Sequence, residues 1–274
     1  MAIEPTIIDG IRCFAPALAQ GSEDYPVDAY DRLCRSEEGH FWFRARNRII
    51  LQMFRRFVTK PAHPRVLEIG CGTGFVLRGL AAEGRYDLTG AEVNIAGLRH
   101  ARQRLPAVEF VQVDARDLPY QSAFDAIGAF DVIEHITEDE AVLANVHRAL
   151  KPGGVLIITV PQHAWLWSAV DEHGGHKRRY SRTELLTKLG AVGFEVLYLT
   201  SFVTALLPVL YASRFAKRHQ KTTNSEKGLS ELEISATANM ICAAAMGLDE
   251  ALIRAGMSLP LGGSLLAVGR KSEL

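Results

Sequence analysis

The sequence lacks an excess of charge of either sign: 31 lysines and arginines stand against 31 aspartates and glutamates in 274 residues. A chain so balanced builds no overall field that gathers nucleic acid, so a dedicated nucleic-acid binder is excluded as a reading. Cysteine is scarce. Cys13, Cys34, Cys71 and Cys242 lie far apart, without the CxxC pairs of a zinc site or the density of a disulfide scaffold, and read as reduced thiols. Long apolar runs are missing too, since none approaches the roughly 18 residues that a bilayer span takes. The start, MAIEPTIIDG, lacks the basic residues and apolar core of a signal peptide, so a cytoplasmic protein is expected. No internal repeat is visible.

What is present divides into zones. Residues 1–60 are expected to form a helical N-terminal extension or lid, because HFWFRARNRIILQMFRRF has helix-like apolar spacing and ends before prolines 61 and 64. Residues 61–202 alternate short β-branched runs with helical stretches, the pattern of βαβ units around a parallel sheet. The expected strands are Arg65 to Ile69, Asp87 to Val93, Val108 to Val113, Phe124 to Ala129, Val155 to Val160 and Phe194 to Thr200, with Ser264 to Gly269 as the last. Two helix starts carry capping-box patterns, Thr137 with Glu140 and Ser181 with Glu184. Residues 203–262 read as a helical insertion that caps a substrate pocket, and 263–274 as the closing strand of the core.

Within the insertion, Phe202 to Tyr211 reads as a core or lid helix. The neighbouring Arg214, Lys217, Arg218 and Lys221 keep peripheral membrane contact as an alternative.

The most informative stretch is RVLEIGCGTG, Arg65 to Gly74, where a buried strand runs into a glycine-rich turn before a helix. Glycines 70, 72 and 74 let backbone approach a ligand closely and leave helix N-terminal N–H groups to meet it. A dinucleotide fingerprint requires a further glycine where Phe75 stands, so a nicotinamide-dependent oxidoreductase is the weaker reading. Glu92 follows Gly70 by 22 residues at the next strand end, where a carboxylate can grip both ribose hydroxyls. Asp114 ends the third strand at the same edge and can accept an exocyclic adenine amine or cap a turn.

VLEIGCGTG, GAEV, VDARDLPY and FDAIGAFDVIEHI, closed by LKPGGVLIITVP, together resemble the class I methyltransferases, in particular the small-molecule branch that includes the ubiquinone and menaquinone enzymes. The resemblance covers Arg65 to about Pro161. It implies a Rossmann-like, doubly wound α/β fold with a seven-stranded, mostly parallel sheet of order 3-2-1-4-5-7-6, and S-adenosylmethionine as cofactor. It further implies that Glu68 and Gly70 to Gly74, Cys71 among them, border the methionine part. Glu92 with Val93 would hold the ribose, Asp114 and Ala115 the adenine, and Phe130 would sit near the sulfonium. Arg46, on the N-terminal helix, becomes a candidate for the cofactor carboxylate or an acidic substrate, and Trp42 a candidate substrate contact.

Candidate bases are His135 in IEHI, and His173 and His176 in WLWSAVDEHGGHKRRYS, each with an ordinary structural role as its alternative. Trp167 and Tyr180 in the same loop are expected to touch substrate. HxxH in a glycine-containing loop lacks the one-face geometry of a helical metal motif, so no metal ligand is assigned from spacing. The expected reaction is methyl transfer to an oxygen, carbon or nitrogen of a small or lipid-like metabolite. A non-catalytic, membrane-peripheral or partner-binding module is the alternative of another class.

Overall fold

The computed structural model of the protein describes residues 4–20, 27–217 and 234–273, of which 27–29 and 214–217 by backbone alone. The strands are β1 (Thr6–Ile8), β2 (Ile11–Cys13), β3 (Arg65–Ile69), β4 (Asp87–Glu92), β5 (Glu109–Gln112), β6 (Phe124–Phe130), β7 (Leu150–Pro161), β8 (Phe194–Phe202) and β9 (Ser264–Lys271). The helices are α1 (Val27–Glu37), α2 (Phe41–Phe57), α3 (Phe75–Ala81), α4 (Ile95–Arg104), α5 (Asp139–Ala149), α6 (Ala169–His173), α7 (Arg182–Ala191), α8 (Leu207–Lys217) and α9 (Ala236–Arg254).

Alternation along the central strands decides the layering, because successive side chains point to opposite faces. Val66, Ala126, Val155 and Ile157 enter one core cluster with Ile49, Ile50 and Phe54 of α2, Leu77 and Leu80 of α3, and Leu98 of α4. Leu67, Ile127, Leu156 and Ile158 enter the other, with Val142, Leu143 and Val146 of α5 and Leu185 and Leu189 of α7. Helices on both faces of a mostly parallel sheet make this a Rossmann-like α/β fold. The sheet order is β1-β2-β5-β4-β3-β6-β7-β9-β8, with β9 antiparallel to both β7 and β8. Without β1 and β2 this is the expected 3-2-1-4-5-7-6.

Three findings differ from the expectations. The extension is not wholly helical: β1 and β2 form a short antiparallel pair, and β2 adds to the free edge of β5 in parallel register. Three-residue strands carry too little periodicity to be read, and buried Ile11 and Cys13 belong to the sheet core rather than to a lid. Second, α5 is not capped by Thr137, whose carbonyl accepts from Arg178 Nη2, while Glu140 accepts from Lys188 Nζ. Ser181 does cap α7 through Glu184 N, and a complete capping box occurs at Ser168 with Asp171.

Third, α9 is long and apolar enough by length and composition to cross a membrane. In this structure it lies along α2, with Arg48 donating to both carboxylate oxygens of Glu250 and Phe41 N donating to Asn239 Oδ1 at 2.8 Å. The expected basic cluster from Arg214 to Lys221 has side chains outside the described residues.

Candidate functional site

At the carboxyl edge of the parallel strands the chain leaves β3 through Gly70, Gly72 and Gly74, all at positive φ (66°, 50° and 76°). The first is forced by contact, since a Cβ at Gly70 would collide with Val132 Cγ2. A Cβ at Gly72 would meet nothing within 4 Å, because that side of the turn faces a cavity of about 410 Å³. Gly70→Ala therefore has both a left-handed backbone and a clash to absorb. We expect it to lower unfolding free energy by about 3 kcal/mol, combining ~1–2 for the backbone with ~1–3 for overpacking. Urea denaturation measures this; the same substitution at Gly84, where nothing lies within 4 Å, keeps the backbone cost and loses the clash.

Glu92, at the tip of β4, reaches across to this turn. Its Oε2 accepts from Gly72 N at 3.1 Å, and its Oε1 from Val93 N at 2.8 Å and Asn94 N at 3.2 Å. Burial pushes its carboxyl above the ordinary range against the pull of these three donors. From the other side, buried Glu37 at the end of α1 accepts from Thr73 Oγ1 at 2.6 Å and from Arg104 Nη1 at 3.0 Å, tying α1 and α4 to the glycine turn.

Helix α2 supplies a wall of Trp42, Phe43 and Arg46. The Arg46 guanidinium donates through Nη2 to Phe130 O at 2.7 Å and lies 2.6 Å, through Nε, from Asp131 Oδ2. It also lies 5.0 Å from the Trp42 ring centre, a cation–π distance. Glu68, on β3, is buried in the same wall with Oε2 accepting no hydrogen bond. Burial raises its carboxyl well above the usual range; Arg46 opposes this, and Glu37 and Glu92 add to it.

A raised acid holds its proton more tightly in the folded state, so its stabilising contribution is complete below the unfolded value of 4.5 and is lost as pH rises through the folded one. Glu68→Gln is accordingly expected to gain thermal stability over the parent, in the absence of ligand, by more at about pH 8 than at about pH 5. Parallel melts check this; an equal shift at both values would show that Glu68 is ionised without cost.

His135 completes the wall beyond Phe130, Asp131 and Val132. Burial, with His176 and Lys177 adding to it, lowers its pKa to about 4 against Asp131 and a hydrogen bond with the Gly174 backbone. It is therefore a neutral imidazole at physiological pH.

A family model described as a methyltransferase domain matches residues 39–199, which hold α2, the glycine turn, Glu92 and the strands up to β8. The chain belongs to this methyltransferase family. Among curated relatives, a probable S-adenosylmethionine-dependent methyltransferase of Mycolicibacterium smegmatis is 31% identical over 162 residues, covering 58% of this chain and 61% of the relative. The chain thus spans about three-fifths of that relative's length. The ubiquinone biosynthesis O-methyltransferase of Pectobacterium carotovorum is 30% identical over 110 residues, covering 38% of this chain and 46% of the relative. Among solved structures, the [4+2]-cyclase SpnF superposes with a TM-score of 0.57 at 27% identity, over 84% of this chain and 83% of that one. Phosphoethanolamine N-methyltransferase 2 of Haemonchus contortus, solved with S-adenosylmethionine, shares the fold, with a TM-score of 0.54 at 20% identity over 81% of this chain and 52% of that one.

Of the residues singled out in this methyltransferase-family sequence, Trp42, Arg46, Glu68, Gly70, Cys71, Gly72, Glu92, Val93, Phe130 and His135 line this cavity. Others stand elsewhere. Gly74 caps α3, within reach of Ala101. Asp114 is engaged by Arg116, whose side chain and backbone hydrogen bonds bring its carboxyl below the usual range although burial pushes the other way. Ala115 is buried in the core cluster on the α5 face.

Tyr180 corrects an expected substrate contact: it is fully buried, and its hydroxyl donates to Asp139 Oδ2 at 2.7 Å, holding the loop to α5. His173 is exposed at the end of α6 and Trp167 Nε1 donates to Glu172 at 3.4 Å; neither lines the cavity. His176 stands behind His135, with ring centres 4.7 Å apart. Nor does any described residue of 203–262, the expected cap, line it; α9 of that segment packs against α2 instead.

Sequence reading missed Glu37 and Asp131. Asp131 sits inside a motif already quoted and was readable as a polar side chain at a strand end. Glu37 carries no such signal, because only the fold brings α1 to the turn.

Proposed function

We propose that this chain is an S-adenosylmethionine-dependent methyltransferase acting on a small or lipid-like metabolite. The observation that supports it most is the joined pair of strand tips, in which Glu92 accepts from Gly72 N at the mouth of a cavity that Gly72 leaves open. The residues present fit the cofactor: about 410 Å³ lies within the range of small-molecule sites. Glu68 Oε2 is also a buried acceptor without a hydrogen bond.

In this reading Glu68 and Gly70 to Gly74 hold the aminoacyl part, Glu92 and Val93 the ribose, and Asp114 and Ala115 the adenine. Arg46 pairs with Asp131 and gives Nη2 to Phe130 O, and its guanidinium on the cavity wall can also meet a carboxylate of cofactor or substrate. The bound cofactor supplies an electrophilic methyl on a sulfonium. The chain's task is alignment and exclusion of water: Phe130 and Trp42 wall the reacting end with apolar surface, and His135, a weak base with its pKa lowered to about 4, borders the acceptor there. Residues 61–202 and 263–274, with the edge strands β1 and β2, form the binding core, α1 and α2 the wall and lid, and α9 braces that lid.

Calorimetric titration with S-adenosylhomocysteine and, separately, NADH tests the reading. Micromolar uptake of the former and none of the latter is expected, and uptake of NADH alone would sink it. The likeness to a [4+2]-cyclase supports a second reading, in which the cofactor is held and the cavity catalyses without methyl transfer. Release of S-adenosylhomocysteine during turnover of an acceptor separates the two.

A further inference from the structure

Beyond the cavity wall, three side chains from two separate segments converge. Glu134 and His135 follow β6, and His176 comes from the loop after α6. Their ligand-capable atoms all lie within 4.8 Å of one another. The segments are pinned together by Lys177 N, which donates to Glu134 O at 2.7 Å.

Glu134 is the anomaly. It is fully buried, yet neither carboxylate oxygen accepts a hydrogen bond from another residue. Neighbouring acids each have a cation, Asp131 with Arg46 at 2.6 Å and Asp171 with Arg179 at 2.8 Å. A bare buried carboxylate is too costly to keep, so this group holds either a proton or a cation.

The imidazoles decide for the cation. His176 Nδ1 lies 2.9 Å from Asp171 Oδ1, and the fully buried Asp171 is itself fixed by Arg179 and Ser168. With its N–H on that side, His176 turns a lone pair on Nε2 away from Asp171, the carboxylate–histidine arrangement that orients metal ligands. His135 stands against it, with the two ring centres 4.7 Å apart. A protonated Glu134 alone would need none of this.

We propose that Glu134, His135 and His176 form a site for a divalent first-row transition cation, with an open position toward the cavity that takes an oxygen of the methyl acceptor. The acceptor half rests on the methyltransferase reading; the site itself does not. Two imidazoles and one carboxylate suit zinc, iron or manganese rather than magnesium or calcium, and three protein ligands leave room for a further donor. Because His135 lines the cavity, that position meets whatever occupies it. A cation there lowers the pKa of a coordinated hydroxyl, which defines the acceptor class as one carrying a hydroxyl or carboxylate oxygen.

The test uses the full, untagged chain, stripped with a chelator and titrated with zinc by calorimetry near neutral pH. About one zinc per chain at micromolar affinity or tighter is expected, weakened at least ~10-fold by Glu134→Gln and by His176→Ala. His63→Ala, exposed between α2 and β3, should bind as the parent does. Circular dichroism verifies that each variant folds. If His176→Ala does not, Glu134→Gln carries the test, because an amide replaces a buried acid at equal volume. No uptake by the parent at ~100 μM zinc, or uptake that the folded variants leave unchanged, overturns the site. Titration of the stripped protein with S-adenosylhomocysteine separates the two ideas. Nucleoside binding without zinc uptake defeats the metal site alone; zinc uptake without nucleoside binding defeats the acceptor role and the methyltransferase reading.

Discussion

Glu92→Ala should lose S-adenosylhomocysteine affinity by about two to four orders of magnitude while the protein stays folded. Each charge-assisted hydrogen bond from a carboxylate to a ribose hydroxyl contributes about 1.5–3 kcal/mol, and truncation removes both. It also frees Gly72 N, Val93 N and Asn94 N, which Glu92 now holds, so the glycine turn loses the tether that shapes it before any ligand arrives. The fold should tolerate this, because burial already pushes the Glu92 carboxyl up and its removal relieves that cost. Glu92→Gln keeps one acceptor and should fall between parent and alanine. Calorimetry on the three proteins, with thermal melts alongside, reads both effects. If alanine binds within about threefold of the parent, Glu92 is a brace for the turn and nothing more.

How far such a site is legible in a sequence depends on whether its parts are local. The β3 strand and its glycine turn are contiguous, so Arg65 to Gly74 announces strand, turn and ligand together, and Glu92 follows from the length of one βα unit. Core strands β3 to β9 are readable for the same reason: each carries its own alternation, and the sheet order follows from the resemblance. The edge strands β1 and β2 are three residues each, too short for a period, and exist because the edge of β5 offers unpaired backbone groups.

Tyr180 shows the opposite failure. In sequence it is an aromatic in a polar, histidine-bearing loop, which reads as substrate contact. In the fold it is a fully buried anchor for Asp139, a role set by α5 from 41 residues away. His176 and Glu134 are likewise 42 residues apart in the chain, and a search for ligand spacing within one loop looks past such a pair.

The same logic of distant convergence gives Arg46 its weight, and Arg46→Ala should cost about 3 kcal/mol of stability near neutral pH, the low end for removing one partner of a buried pair. The guanidinium is nearly buried and faces Asp131 at 2.6 Å, also a mostly buried side chain. It further holds down the carboxyls of Glu37, Glu68 and Glu134, each raised chiefly by burial. Without it, four acids share a low-dielectric wall with one cation fewer, and the Phe130 carbonyl loses its donor.

Arg46→Lys restores the charge but not the fork that spans Asp131 and Phe130 O at once, so about half the loss should return. The deficit should shrink as pH falls from about 8 to about 5, because Glu37 and Glu68, freed of the cation that lowered them, take up protons above the ordinary carboxylate range and cease to repel. Urea midpoints for parent, alanine and lysine forms across that range measure all three effects. A deficit that is flat with pH would mean that Arg46 acts through its stacking on Trp42 rather than through its charge.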